Sequence, residues 1–455
     1  MKLSVAKGVH IVEPGDFEPA DHWYPRALNS NLHPLVSFFL ALSNAQIIER
    51  YKRLHPSVDS EQLHGVLHYK PSYFRWAGTD LMHVINREGK RKLTVIETNS
   101  CPSGQKSMPL PEYKIESGGY FKLMEQTFKP AVDAHKEEGA LALIYDKNPM
   151  ENVGYASAMA DVFDEPVFLA EYHNADNTSV KFIDDKLHIK DEGGKMIPVR
   201  AAFRYVTQHP WDRIPEKSKT LLLNPIEACL AGGRNKSQAF QAYSDFNKAY
   251  KKDHLNIITP ATFLDVELGE FEKYFKQLDG KMVVKVPDSN AGQGVYTVTS
   301  PNELKKVLSA LSKYPDDRYL LQELILSNYD PESPEAYYHV GTLPDLKGRS
   351  YAFDARMMIH STVDGMRPLA IYSRRSRYPL NEPLAEGVDS WEVYGTNLSV
   401  KSTEGWTYDD VRLLLFDVKN FGTLGLGLDE LVEGFVQSCM AVQAVDQRAK
   451  KMFDQ

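Results

Sequence analysis

Between Asn31 and Arg53 apolar residues recur near helical spacing, at Leu35, Phe38, Phe39, Leu42 and Ile47, and the run stops before His55-Pro56. The spacing predicts one helix there. Two short alternating runs follow, from Asp80 to Ile85 and from Leu93 to Thr98, separated by Asn86-Arg87-Glu88-Gly89-Lys90. A five-residue turn that contains Gly predicts a hairpin. From Ala140 strand and helix patterns alternate: strand from Leu141 to Tyr145, helix from Asn152 to Phe163, strands from Pro166 to Ala170 and from Lys181 to Ile189. That is the signature of an α/β layer. A second such unit starts near Asn235, with a helix to about Tyr250, Ile258-Thr259-Pro260 leading into a short strand, another helix, and a strand from Lys281 to Val286. Further strands are expected from Tyr319 to Ile325, Tyr351 to His360 and Leu369 to Ser373, and a last helix from Asp429 to Phe453, striped by Leu431, Phe435, Cys439 and Val442. The Pro- and Asp-rich stretch from Ser327 to Lys347 reads as a flexible insertion, and there is no internal repeat or low-complexity tract.

A length of 455 residues implies two or three domains. With 53 basic and 61 acidic residues interspersed, for a net charge of −8, the chain lacks the footprint of a nucleic-acid or membrane-surface binder. The hydrophobic fraction of 42% and charged fraction of 25% are those of a soluble globular protein. Cys101, Cys229 and Cys439 are odd in number and far apart, which suits a reducing cytoplasm better than a disulfide framework or a zinc site. From Met1 to His10 there is no apolar run of the kind a secretory signal needs. The apolar stretch from Pro34 to Ile48 is broken by Ser37, Ser43, Asn44 and Gln46 and is too short to span a bilayer. A cytoplasmic location is expected.

Four features carry chemistry. The segment from Lys285 to Val295 follows an apolar strand, and its small residues, Ser289 and Gly292-Gln293-Gly294 among them, would let backbone N–H groups approach an anion beside the Lys285 ammonium. The Lys precedes the glycines, so this is neither the Walker-type phosphate loop nor a dinucleotide fingerprint. Gln322 and Glu323 interrupt an otherwise apolar strand and could present polar groups to a base edge. On the hairpin, alternation puts Glu97 and Asn99 on one face, and a register pairing Asn86 with Arg91 sets Asp80 opposite Glu97. Two facing carboxylates would repel, whereas Mg²⁺ prefers such oxygens together with substrate phosphates. Finally, Asp354 and Arg356 share one strand face, with Arg374, Arg375 and Arg377 on or just past the next strand, and guanidinium groups match phosphoryl oxygens and carboxylates.

Together these residues resemble the ATP-grasp ligases. Asn235-Lys236 is similar to the first Lys of that family, Lys285 to the second, Ser289 to Gly294 to the flap, and Gln322, Glu323, Leu324 and Ile325 to the adenine strand. Arg356 resembles the phosphate-contacting Arg, and Thr396-Asn397-Leu398-Ser399 resembles a segment of tubulin-tyrosine-ligase-like members. The Asp80 and Glu97-Thr98-Asn99 pair comes first in the chain instead of last, as in glutathionylspermidine synthetases, eukaryotic glutathione synthetases and uncharacterised permuted bacterial proteins. The last of these also resemble the chain at Pro102-Ser103-Gly104 and Phe203-Arg204-Tyr205. One departure is Gly78, where glutathionylspermidine synthetases carry an Arg.

The resemblance implies an α/β, circularly permuted ATP-grasp fold with an additional Rossmann-like domain. Residues 1–130 would hold N-terminal helices and the metal hairpin, 131–234 the extra α/β domain, and 235–455 the nucleotide-binding domain. It further implies that the C-terminal helix packs beside the segment leading into Asp80, since permutation needs neighbouring ends. The implied activity is an ATP-dependent carboxylate–amine ligase acting through an acyl phosphate on an amino acid or small peptide. Mg²⁺ would sit on Asp80, Glu97 and Asn99. Lys236, Lys285 and Arg356 would offset charge on the transferred phosphoryl group, Asn397 would join the nucleotide site, and Arg374 the catalytic set. Ser103, Gly104, Gln105 and Arg204 would form the substrate pocket. Cys101 is expected to line or pack, as no His lies nearby in sequence to activate it. The alternatives are a protein-modifying amino-acid ligase, a non-catalytic ATP-binding protein, and phosphotransfer to a hydroxyl. Partners would be small carboxylates and amines, and the resemblance allows a homodimer.

Overall fold

The computed structural model describes residues 8–110, 118–175, 177–191, 193–289, 294–314, 316–327, 337–382, 387–402 and 405–454, with backbone alone for 399–402, 405–408 and 410. The architecture is α/β, built on three larger sheets and a small two-stranded one.

The first sheet has seven strands. Ala140–Tyr145 pairs in parallel with Val167–Glu171 on one side and with Met196–Tyr205 on the other, and Leu221–Leu223 adds in parallel to the latter. Its edge strand, Val9–Val12, comes from the N-terminal segment and pairs antiparallel with Val167–Glu171. This sheet therefore crosses the expected division at residue 130. The expected single strand from Lys181 to Ile189 is a hairpin, Val180–Ile183 and Lys186–Lys190, turned by Asp184 and Asp185 with φ of 50° and 63°. Positive φ at both central residues is what tight hairpins demand, and aspartate tolerates it better than most residues.

The second sheet is antiparallel, in the order Thr262–Val266, Tyr319–Glu323, Met282–Lys285, Val295–Val298. Alternation divides its faces: Met282, Val284, Val298, Tyr319 and Leu321 are buried with the helices Phe271–Gln277 and Pro301–Leu311, leaving Val283, Lys285, Thr297 and Gln322 for the opposite face.

The third sheet runs Tyr338–His339, Trp76–Ile85, Phe353–Thr362, Gly365–Arg375, Leu413–Leu414, with Arg91–Asn99 also paired to Trp76–Ile85. Leu81, Val95 and Met357 on one face join the main core with Phe435 and Val442 of the long helix Leu428–Phe453. That helix lies against the segment entering the Asp80 strand, as expected. The buried Asp446 carboxylate accepts the backbone N–H groups of Ser72, Tyr73 and Phe74 at 3.1, 2.7 and 2.9 Å and the Tyr69 hydroxyl at 2.8 Å.

The helix expected over Asn31 to Arg53 is two helices, Pro34–Ala41 and Asn44–Leu54. Ser43 begins the second by accepting the Gln46 N–H, while the Gln46 side chain accepts the Ser43 N–H at 2.9 Å. This reciprocal cap outweighs an apolar spacing that would otherwise run on. Of the insertion from Ser327 to Lys347, residues 328–336 lie outside the described residues. No described helix is long and apolar enough to cross a membrane.

Candidate active site

The hairpin sets Asp80 opposite Glu97, although not by the simple count. At the turn Ile85 pairs with Arg91 and, further along, Leu81 with Val95; continued unbroken, that register would put Ile96 across from Asp80. A β-bulge at Ile96 inserts one residue, so Glu97 and Asn99 leave the core face that Val95 occupies and join the face of Asp80. Bulges re-aim side chains in this way. Buried Asn224 fixes both strands: its side chain accepts the Arg75 and Trp76 N–H groups at 2.8 and 3.2 Å and donates to the carbonyls of Trp76 and Ser100.

Asp80 is not left to repel Glu97. The Asp80, Phe353–Thr362 and Gly365–Arg375 strands are neighbours, with Asp80 opposite Arg356 and Asp354 opposite Arg374. Arg356 grips Asp80 bidentately, Nε to Oδ1 at 2.6 Å and Nη2 to Oδ2 at 2.7 Å, and Arg374 Nη2 adds a contact to Oδ2 at 2.9 Å. Arg374 also clasps Asp354, which accepts the Thr396 hydroxyl at 3.0 Å. Burial alone would raise the Asp80 carboxyl, but the two guanidinium groups outweigh it and hold it well below the usual carboxylate range. Asp354 goes the other way, raised because burial outweighs Arg374. Arg356, expected to contact a phosphoryl group, and Arg374, expected in the catalytic set, are both engaged by carboxylates, and the charge conflict expected to require a metal is met at Asp80 by arginine.

Glu97 is different. Its side chain is 30% exposed, and its ion-pair partners, Lys236 and Arg356, both stand 4.0 Å away. Asn99 donates to Glu97 Oε1 at 3.1 Å and accepts from Arg234 Nη1 at 3.0 Å. Among the described residues no three His, Cys, Asp or Glu side chains cluster at metal-binding range. The lone-pair count nevertheless fits one hard cation. Among the described residues, Asp80 Oδ1 and Asn99 Oδ1 each accept one hydrogen bond and keep a second acceptor direction, and Glu97 Oε2 has only the long contact to Lys236.

The two predicted lysines arrive from the second half of the chain. Asn235 caps the helix Lys236–Ala249, its side chain accepting the Gln238 N–H at 3.0 Å, which places Lys236 in the first turn. Lys236 Nζ donates to the Ser289 carbonyl at 2.5 Å and lies near its hydroxyl, 3.3 Å. Lys285 Nζ approaches the carbonyl of the bulged Ile96 at 3.5 Å and lies 5.7 Å from the centre of the Phe240 ring. Burial pushes Lys285 down to about 8, against the pull of Glu97, and lowers Lys236 in the same sense. Gly294 has φ 68° and its carbonyl accepts the Val286 N–H at 2.7 Å, while Gly292 and Gln293 lie outside the described residues.

These groups share one cavity of about 380 Å³ between the second and third sheets. Asp80, Glu97, Asn99, Ser103, Lys236, Lys285, Ser289, Gln322, Glu323, Leu324, Ile325, Arg356, Arg374 and Asn397 all reach it; Gly104, Gln105, Arg204 and Gly294 are not in its walls. Gln322 donates to Thr262 Oγ1 at 2.9 Å, and nearby His339, pushed down to about 3 by burial, leaves its buried Nδ1 without a partner among the described residues. Sequence reasoning missed Arg234, Lys106 and Lys147 and gave Tyr205, named in the Phe203-Arg204-Tyr205 resemblance, no role in the site; all four line the cavity. Arg234 directly precedes the cap of the Lys236 helix, and Lys147 and Tyr205 stand at the carboxyl ends of parallel strands, where ligands of open sheets collect.

The predicted substrate loop is held by the protein itself. Buried Glu151 accepts the N–H groups of Gly104 and Gln105 at 2.9 and 2.6 Å and the Ser103 hydroxyl at 2.8 Å, so these donors are already satisfied. Arg204 is fully buried and donates to the carbonyls of Asn224 and Val206 and to the thiols of Cys101 and Cys229. It is a structural bolt and not a substrate contact. Burial pushes the Cys101 thiol up to about 11 despite Arg204, which leaves it protonated near neutrality, in keeping with a lining role. Gly104 has φ 151°, and a Cβ there would fall 2.1 Å from the Tyr372 ring. Gly104→Ala is expected to cost roughly 1–3 kcal/mol of stability, read as a lower denaturation midpoint; an unshifted midpoint would contradict this packing.

No family model and no curated protein sequence matches the chain. Solved structures similar to it include a glutathione synthetase-like effector from Globodera pallida in its apo form, at 11% identity over 76% of this chain and 86% of that one, with a TM-score of 0.41. A RimK domain ATP-grasp protein from Sphaerobacter thermophilus matches at 12% identity over 65% and 98% of the two chains, with a TM-score of 0.34. D-alanyl-alanine synthetase A from Vibrio cholerae matches at 10% identity over 67% and 99%, with a TM-score of 0.32.

Proposed function

We propose that this chain is an ATP-dependent carboxylate–amine ligase with the ATP-grasp arrangement in permuted order, located in the cytoplasm. The observation that carries the reading is the meeting, in one cavity, of an oxygen-ligand hairpin from the first hundred residues with Lys236 and Lys285 from far downstream. The charge of that cavity supports it. Its walls hold seven basic side chains against four acidic ones, and several of the basic groups are desolvated, an arrangement that favours a polyanion such as a triphosphate.

In this reading Lys236 and Lys285 bind the phosphates and offset charge on the transferred phosphoryl group, which a substrate carboxylate oxygen receives as ADP leaves. An amine then displaces phosphate from the acyl carbon to give the amide. Glu97, with the spare acceptor directions of Asp80 and Asn99, would hold Mg²⁺, which when bound supplies charge neutralisation across the phosphates. Arg356 and Arg374 act as positioning residues that hold Asp80 ionised and fixed. Gln322 to Ile325, with the unpartnered His339 nitrogen, would face the base. Cys101 is not needed as a nucleophile.

The test is an ADP-release screen over amino acids, short peptides and amines with Mg²⁺ and ATP, with Glu97→Ala as the blank. Release above the blank, with amide formed, supports the ligase. ADP binding with no release for any pair points to a non-catalytic nucleotide-binding protein, and a stable phosphorylated product without amine consumption points to a kinase.

The buried lysines also set a pH dependence. Phosphate binds the charged amine, and Lys285 is charged in the free protein only below about 8. Affinity for ADP is therefore expected to be highest below that pH and to fall above it, by up to about tenfold per pH unit for one lysine, with proton uptake on binding. Calorimetric titration in buffers of different ionisation enthalpy checks this, and a flat affinity across about pH 7 to about 9.5 would contradict it.

A further inference from the structure

The cavity has a third wall that the nucleotide reading leaves unused. It lies where the parallel strands Ala140–Tyr145 and Met196–Tyr205 end, with Tyr145 paired to Tyr205. From Ala140–Tyr145 the following parallel strands depart on opposite sides, Val167–Glu171 on one and Met196–Tyr205 on the other. Crevices outside the carboxyl ends of strands at such a switch point are recurrent ligand sites. Here the crevice opens into the cavity through Lys147, Asn148 and Tyr205, joined by Lys106 and Arg234.

The decisive group is Lys147. Its ammonium makes no hydrogen bond or ion pair with any described residue. Arg234 and Arg356 act on it with like charge; Asp146, the acid beside it in sequence, attracts it but makes no ion pair with it, being held by Arg213 at 3.0 Å and by the N–H groups of Thr207 and Gln208. Lys106 donates to Asn148 Oδ1 and stands 5.1 Å from the centre of the Tyr24 ring, and it too has no carboxylate at ion-pair distance among the described residues. Both side chains are half-buried, and an ammonium group held in a confined cavity without a paired carboxylate favours an arriving oxyanion.

We infer that this wall binds a second oxyanionic group, a carboxylate or a phosphoryl group, on the acid substrate, separate from the carboxylate that is activated. The substrate class is then an acid with two anionic groups. Assigning the ligand as the acid substrate rests on the ligase reading; the anion site itself does not.

The experiment titrates the full chain, with and without ADP, against glutarate, phosphonoacetate and butyrate, reading binding by calorimetry. At least one dianion is expected to bind and butyrate not to. Lys147→Met should weaken dianion binding by about tenfold or more and leave ADP affinity within about twofold, while Lys147→Arg retains most of the dianion affinity. Binding of glutarate assigns a carboxylate tail, and binding of phosphonoacetate alone assigns a phosphoryl tail. Butyrate binding as well as glutarate, no dianion binding at all, or dianion affinity unchanged in Lys147→Met would overturn the proposal. Absence of ADP binding would count against the ligase reading alone, because the dianion titrations without nucleotide stand independently.

Discussion

Asp80→Ala is expected to lower the unfolding free energy by about 3–5 kcal/mol, the penalty typical of breaking a buried ion pair from one side. Two hydrogen bonds from Arg356 and an ion-pair contact from Arg374 converge on this carboxylate, and all three side chains are at most 10% exposed. Arg374 would keep Asp354, but Arg356 would be left with the Ser103 carbonyl at 3.2 Å and Glu97 at 4.0 Å. The double variant Asp80→Ala/Arg356→Met should recover part of the loss, because it removes the stranded cation together with its partner. Denaturant unfolding of the three proteins decides the matter. A single-variant loss under about 1 kcal/mol would mean that the pair behaves as a solvated surface bridge. The same linkage has a pH sign: because the folded Asp80 carboxyl lies below its ordinary value, its contribution is present above the usual carboxylate range and is lost on acidification through that range and below it.

Glu97→Gln should separate chemistry from folding. Its carboxylate is partly exposed and has only long ion-pair contacts, so stability is expected to change by less than about 1 kcal/mol. If Glu97 is the principal oxygen ligand for the cation that bridges the phosphates, ADP release should fall by about 10²–10³-fold or more, the loss typical of removing one electrostatic stabiliser. Full activity in this variant, with ADP release still dependent on Mg²⁺, would remove Glu97 from the metal site.

Much of the fold was legible because its strands and helices follow strong local patterns. The hairpin around Gly89, the cap at Asn235 and the apolar helix from Leu428 to Phe453 all have short-range causes. The split at Ser43 and the turn at Asp184-Asp185 are also local in cause, but apolar residues recur at regular spacing on both sides of each break, and that spacing reads as one element. The pairing of Asp80 with Glu97 came from a register that holds only through the bulge, and the adjacent apolar residues Val95-Ile96 are the trace of that phase shift in the sequence. What could not be read was which cation meets which anion. Arg356 lies 276 positions from Asp80, and whether it faces a phosphate or that carboxylate depends on strand order, which no local pattern records. Gly78 is explained in the same way. A Cβ there would fall 2.4 Å from Pro102 and 3.3 Å from the Arg356 side chain, so the arginine expected by resemblance at this position has no room beside the one that crosses over from the neighbouring strand.

The extra residue at Ile96 also decides what length changes this hairpin can tolerate. Strand parity is binary, and here it is corrected between the tip and the cavity, so that the tip carries one phase and the ligand oxygens the other. Straightening of this bulge with Ile96 retained would put Val95 and Glu97 on one face, drawing Val95 into the ligand row or Glu97 into the hydrocarbon interior, while every residue of the tip kept its partner. Variation in the exposed loop from 86 to 90 is shielded from the chemistry so long as the irregularity beneath it persists, which makes a plain isoleucine, and no charged group, the gatekeeper of the site's geometry.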